Sequence, residues 1–342
     1  MELYNEKELD RLNPYQKEAV LDESPACIVN ANVGSGKTTV LISKVQYLHH
    51  VKKVNYEEMT VLTFTNKAAD EIKSRLQAAE PELPLEKLRG FGTFHSTALY
   101  YLREYLPVEK LGYTRDFLVI DPEEELELAL DLIRQRKLKI KYKNRLKKRL
   151  ESAMAVRGEE KKVSKYQDDI FDLVRLLREE KASQDKMTFF DLLENANLLL
   201  REEIGNSPSP KWVIVDEVQD SDSQQLVFLD RLVSRGANLF AVGDPNQVIY
   251  SWRGSAFQIF YTLKHKYRAK ELTLPINYRS SSSILEAARC FLQNGSPLTG
   301  VREPGNKIIV KRQYDAFQDA CYLAGRIKKL HREGTPYGEM AV

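Results

Sequence analysis

Residues 31–40 read ANVGSGKTTV, after the apolar run ACIV (26–29) and before VLISKVQYL (40–48), whose apolar residues recur at helical spacing. The order is strand, turn, helix. A phosphate needs donors and positive charge with no bulky side chain in the way, and Gly34 and Gly36 let backbone N–H groups turn inward at a helix N-terminus. On that reading Asn32, Val33, Gly34, Ser35, Gly36, Lys37, Thr38 and Thr39 form a nucleotide cradle. Lys37 reaches the β and γ phosphates, and the Thr38 hydroxyl holds Mg²⁺. The strict phosphate-loop pattern has glycine where this chain has Ala31, so taken alone the stretch also reads as an ordinary glycine-rich turn.

Further strand-like runs follow: MTVLTFT (59–65), KWVIVDE (211–217), NLFAVGD (238–244), KELTLPI (270–276) and NKIIVKRQ (306–313). Strands alternating with helices imply an α/β fold with parallel sheets covered on both faces. Between Thr97 and Met187 the rhythm changes to long charged helical segments, which predicts a helical insertion between two strands of one sheet. A fresh strand-helix series begins near Lys270, and the last residues, YGEMAV, read as the start of another strand. The expected units are therefore 1–96 with 188–269, an insertion at 97–187, and the beginning of a second unit at 270–342.

With 342 residues, 42% hydrophobic and 30% charged, the chain exceeds what one core usually serves and is folded rather than disordered. A formal charge of +3 excludes no partner and proves none. Cys27, Cys290 and Cys321 are too few and too scattered for a disulfide framework or a zinc site and read as buried thiols. No apolar run approaches the roughly eighteen residues of a membrane span, and the polar N-terminus does not read as a signal peptide, so a cytoplasmic protein is expected.

WVIVDEVQD (212–220) delivers Asp216 and Glu217 to the C-terminal end of a buried strand, where α/β sheets put ligands. Asp216 can hold Mg²⁺, and Glu217 can orient and deprotonate an attacking water. In isolation the pair also reads as a helix cap with a solvated neighbour. AVGDPNQVIYSWRGS (241–255) sets Gln247 beyond another strand, placed to sense a γ phosphate, followed by Tyr250, Trp252 and Arg253, which offer π faces and charge to nucleic-acid bases. The run 134–149 carries ten Lys or Arg in sixteen residues and reads equally as a phosphate-binding surface or as a solvated helix face balanced by the preceding DPEEELE.

At this point the chain resembles the superfamily 1 DNA helicases of the UvrD, Rep and PcrA type. LNPYQKEAV (12–20) resembles that family's Q motif, ANVGSGKT its Walker A, TFTNKAADEI (63–72) motif Ia, and GTFHS (92–96) motif Ib. DEVQD resembles motif II, GDPNQVIYSWRGS motif III, and LPINYRSS (274–281) motif IV. Alanine at position 31 is usual in the family.

The resemblance implies RecA-like P-loop domains, ATP and Mg²⁺ as ligands, and 3′ to 5′ movement on single-stranded DNA with unwinding at single-strand/duplex junctions. By the same resemblance Gln16 reads adenine, Tyr278 stacks on the base, and Arg279 is an arginine finger. Catalysis is expected from Lys37, Glu217, Gln247 and Arg279. The DNA track is expected to use Phe64, Asn66, Thr93, His95, Tyr250, Trp252 and Arg253. Thr39 stands where several relatives carry an arginine, which puts nucleotide affinity in question. No segment resembles motifs V and VI, so the 342-residue chain is expected to bind nucleotide but to hydrolyse ATP poorly and not to unwind duplexes. Rival readings are a non-catalytic nucleic-acid-binding module, a P-loop small-molecule kinase, and the helicase part of a helicase-nuclease.

Overall fold

The computed structural model describes residues 9–155, 168–202, 208–247, 259–290 and 298–342. Its centre is strand β1 (Ala26–Ala31), which pairs in parallel with β7 (Asn238–Gly243) on one side and β8 (Lys270–Leu274) on the other. With β2 (Met59–Thr63), β3 (Phe91–Thr93) and β6 (Trp212–Val215) they make a six-stranded sheet of order β3-β2-β6-β7-β1-β8, all of it parallel.

Burial on both faces explains why β1, β2, β6 and β7 read as apolar runs, whereas the edge strand β8 is half exposed. Successive residues of a strand point to opposite sides. Cys27, Val29, Ala31, Ile214, Phe240 and Val242 pack under α1 (Pro14–Leu21), α2 (Lys37–His50) and α3 (Asn66–Ala79). Ala26, Ile28, Val213, Val215, Leu239 and Ala241 pack under α4 (Phe94–Glu104), α8 (Phe189–Arg201), α9 (Ser223–Val233) and α10 (Ile259–Tyr267). At about 1.5–3 kcal/mol for each large apolar side chain taken out of water, these two layers are the main source of stability.

Between β3 and β6 lie α5 (Pro122–Arg136), α6 (Leu146–Ala155) and α7 (Ile170–Ser183), which share a third, separate core. Asp121 caps α5, three glutamates fill its first turn and Arg134 and Arg136 its last, an order that suits the helix dipole. Two features of the range 97–187, expected as a helical insertion, stand apart from these three helices. Most of α4 lies within that range yet packs on the main sheet. In addition, β4 (Leu118–Ile120) and β5 (Lys186–Thr188) form a two-stranded parallel pair at the base of the insertion.

The end of the chain departs further from expectation. Lys270–Leu274, expected to open a second unit, is instead the sixth strand of the first sheet, because its backbone pairs with Cys27–Ala31. After the buried Pro275 the next strand, β9 (Ile276–Ser281), leaves that sheet and pairs with β10 (Thr299–Arg302), with Leu285 of α11 (Ser282–Arg289) buried beneath. Residues 306–313 are not a strand. No described strand pairs with them, and Ile308, Ile309 and Val310 stand in solvent. The terminal YGEMAV forms a short 3-10 turn at Tyr337–Glu339 rather than a strand, after α12 (Ala316–Arg332). All three thiols are free, but Cys290 and Cys321 are exposed, so only Cys27 is the buried thiol expected. Among the described residues no helix is long and apolar enough to cross a membrane.

Candidate functional site

Three chain segments meet at the C-terminal end of β1 around a cavity of about 490 Å³. The first is the loop from Asn32 to Gly36. Gly34 and Gly36 have φ of 65° and 87°, a region in which a side chain is strained. A Cβ on Gly34 would lie 2.8 Å from both Arg279 Cβ and Asn277 Nδ2, and one on Gly36 would lie 2.7 Å from Gln16 Nε2. The loop is therefore glycine-dependent twice over, by conformation and by space. Asn32 and Ser35 are buried, the Ser35 hydroxyl has no hydrogen-bond partner among the described residues, and Val33, Lys37, Thr38 and Thr39 line the cavity.

Gln16 is held before any ligand arrives. It is the N3 residue of a capping box with Asn13, its Oε1 accepting from the Asn13 N–H at 3.1 Å, while its Nε2 donates 2.9 Å to the Ser35 carbonyl. One N–H and one lone pair of the amide remain for a further partner. Helix α1 is fixed in turn by Lys44, buried against the Trp212 and Phe240 rings, which donates to the carbonyls of Val20 and Asp22. Burial lowers the Lys44 ammonium to about 8.

The second segment follows β6. Asp216 is 7% exposed, and burial together with the neighbouring Glu217 raises its carboxyl to about 6. Glu217 has φ 48°, in the left-handed region that costs a side-chain residue about 1–2 kcal/mol. That turn brings its Oε2 to 2.7 Å from Lys37 Nζ. Gln219, 2% exposed, donates 2.8 Å to the same Oε2 and accepts 3.0 Å from the Asp244 N–H. Asp244 Oδ2 accepts 2.6 Å from Gln247 Nε2. Lys37, Glu217, Gln219, Asp244 and Gln247 thus form one hydrogen-bonded line.

The third segment is β9. Tyr278 N–H donates 2.9 Å to the Gly34 carbonyl, and the buried Asn277 donates 2.6 Å to the Val33 carbonyl while accepting from the N–H groups of Arg279 and Ser280. Tyr278 OH accepts 2.7 Å from Asn13 Nδ2. Tyr278, Arg279 and Arg302 line the cavity, as do Glu71 and Arg75, themselves paired at 2.6 Å.

Of the residues expected along a DNA track, Phe64, Asn66, Thr93 and His95 come together where β2 and β3 end, Thr63 pairing with Thr93. Thr93 caps α4, and His95 packs edge-on against the exposed ring of Phe189 at 5.9 Å. Burial, opposed by Asp222, holds the His95 imidazole below its ordinary value, so it is neutral at neutral pH. Four strand spacings separate this edge from β1, roughly 19 Å. Tyr250, Trp252 and Arg253 lie outside the described residues.

Sequence reasoning gave no role to Gln219, Asp244, Asn277, Arg75, Arg302 or Phe189. The first three sit inside quoted motifs, yet their importance lies in contacts across 25 to 244 positions of chain. Periodicity carries no trace of such contacts.

The raised Asp216 carboxyl has a measurable consequence. A carboxyl raised on folding contributes stability that is full below the ordinary carboxylate range and is lost as pH rises through about 6. At pH 7.5 the buried charge therefore costs about 2–3 kcal/mol. Asp216→Asn is expected to unfold at higher urea than wild type at pH 7.5, with the gap narrowing toward pH 4. Equal midpoints at pH 7.5 would show that the carboxylate is not penalised.

Comparison with known proteins agrees with this geometry. Residues 12–268 match the model of the UvrD/REP helicase N-terminal domain, and residues 272–342 that of the UvrD-like helicase C-terminal domain. The ATP-dependent DNA helicase PcrA of Staphylococcus epidermidis is 28% identical over 355 residues, covering 97% of this chain and 47% of the relative. PcrA of Staphylococcus aureus is 28% identical over 358 residues, covering 98% and 48%. The chain spans about half the length of the curated relatives it matches. A phosphate loop on a parallel sheet, an acidic pair opposite its lysine, and a family model running from residue 12 to 268 lead to one assignment: the chain belongs to the UvrD/REP family of helicases.

Proposed function

We propose that the chain is the ATP-hydrolysing part of a DNA helicase that moves 3′ to 5′ along single-stranded DNA and opens duplexes at single-strand/duplex junctions. The observation that carries this reading is the convergence of Lys37, Glu217 and Arg279 on one cavity floored by the phosphate loop.

The residues fit a Mg²⁺-nucleotide. The loop carries a buried Ser35 hydroxyl with no hydrogen-bond partner among the described residues, and Thr38 and Asp216 would supply the few oxygen ligands Mg²⁺ takes beside phosphates. When bound, Mg²⁺ neutralises the developing charge on the phosphates.

The roles then follow from position. Lys37 exchanges Glu217 for the β and γ phosphates, which frees the carboxylate to take a proton from the attacking water. Gln219 keeps that carboxylate oriented and ties it through Asp244 to Gln247, the γ-phosphate sensor. Arg279 meets the spreading negative charge, Tyr278 stacks on the base, and Gln16 reads its edge. Phe64, Asn66, Thr93 and His95, with Tyr250, Trp252 and Arg253, hold the single strand, largely by stacking that is indifferent to sequence. Residues 1–96 with 188–274 would be the ATP-binding unit, 97–187 its helical insertion, and 275–342 part of a second RecA-like unit.

ATP turnover by the full chain is expected to rise at least tenfold on adding a single-stranded oligonucleotide and far less on adding blunt duplex. Turnover indifferent to DNA would favour a P-loop kinase. Binding of DNA and nucleotide with no turnover at all would favour a non-catalytic module.

A further inference from the structure

Four cationic side chains line the cavity: Lys37, Arg75, Arg279 and Arg302. Two are matched by carboxylates, Lys37 by Glu217 at 2.7 Å and Arg75 by Glu71 at 2.6 Å. Arg279 and Arg302 have no carboxylate within ion-pair distance among the described residues, and both stand on the β9–β10 pair.

The pairing between these strands is irregular. Gly300 lies opposite Asn277 but Arg302 lies opposite Ser281, so four steps on β9 match two on β10. Regular pairing would set Arg302 opposite Arg279; the irregularity sets it opposite Ser281 instead, and its side chain reaches back to the segment carrying Tyr278 and Arg279. Arg302 Nε donates 2.9 Å to the Tyr278 carbonyl, which fixes the guanidinium and leaves its four terminal N–H donors for another partner. Two guanidiniums without carboxylates on one short strand pair repel each other until an anion joins them.

We propose that Arg302 is a nucleotide-binding residue, engaging the triphosphate chain from the β10 side of the cavity, opposite Lys37. With Arg279 it forms a two-arginine clamp, so affinity for ATP depends on the β9–β10 pair being docked on the phosphate loop. This rests on the nucleotide reading of the cavity given above. A fork of N–H donors suits phosphate oxygens better than a single ammonium does.

The test is equilibrium titration of the full chain with Mg²⁺ and a fluorescent ATP analogue, the corresponding AMP analogue, and the variants Arg302→Ala, Arg302→Lys and Lys37→Ala. Arg302→Ala is expected to weaken ATP binding about tenfold or more and AMP binding by less than twofold, with Arg302→Lys between the two. ATP affinity within twofold of wild type in Arg302→Ala would overturn the assignment. So would an equal loss for ATP and AMP, which would mean that Arg302 acts by placing Tyr278. If Lys37→Ala binds ATP as wild type does, the nucleotide reading itself fails, a result distinct from either of these.

Discussion

Glutamine in place of Glu217 is expected to slow ATP hydrolysis by roughly 10²–10⁴-fold without weakening nucleotide binding. The amide keeps an oxygen that can accept from Gln219 but cannot take a proton from water. It also loses the charge that holds Lys37 at 2.7 Å, so the ammonium is freer to meet phosphate. Affinity should therefore be equal to or higher than wild type while turnover collapses. Rapid-quench single-turnover hydrolysis beside a binding titration separates the two effects. Turnover within threefold of wild type would remove Glu217 from the role of base, and parallel loss of binding and turnover would make the ion pair structural.

Removing the guanidinium at position 279 is expected to cost about 10³-fold in turnover, within the range for arginines that reach a transferring phosphoryl group. The backbone of Arg279 is held by Asn277 Oδ1, and that contact survives truncation of the side chain. Arg279→Ala should therefore fold as wild type does and bind ADP with little change, because ADP lacks the γ phosphate on which the guanidinium acts. Arg279→Lys should recover little, since an ammonium lacks the planar fork. Steady-state turnover with ADP affinity as the control checks this. A loss below tenfold would place the arginine outside the reaction.

Much of this site is legible in the sequence because its parts are local. Gly34, Gly36 and Lys37 follow a buried strand directly, and Asp216 and Glu217 end another, so a short window contains both the element and the chemistry. Parallel strands buried on both faces announce themselves as apolar runs, which is why β2, β6 and β7 could be placed from pattern alone. Strand order is a different matter. Nothing in KELTLPI distinguishes the last strand of one sheet from the first of the next, and the hydrogen bonds from Lys270–Leu274 to β1 decide it. The apolar triplet Ile308–Val310 likewise has strand composition, but strands are stabilised by pairing and cover, and the described structure gives that triplet neither. Gln219 and Asn277 were hidden for the opposite reason. Each is a polar residue serving distant backbone, and such service leaves no local signature.

The junction at Pro275 has a mechanical consequence. Leu274 ends a strand welded into one sheet and Ile276 begins a strand of another, so the whole connection is a single imino acid whose φ is fixed and whose carbonyl accepts 2.9 Å from Thr299. Such a connection is too short to stretch, and one of its torsions is fixed. It is a short tether: the arginine-bearing strands stay one residue from β8, which pairs with β1, the strand whose end carries the loop they touch.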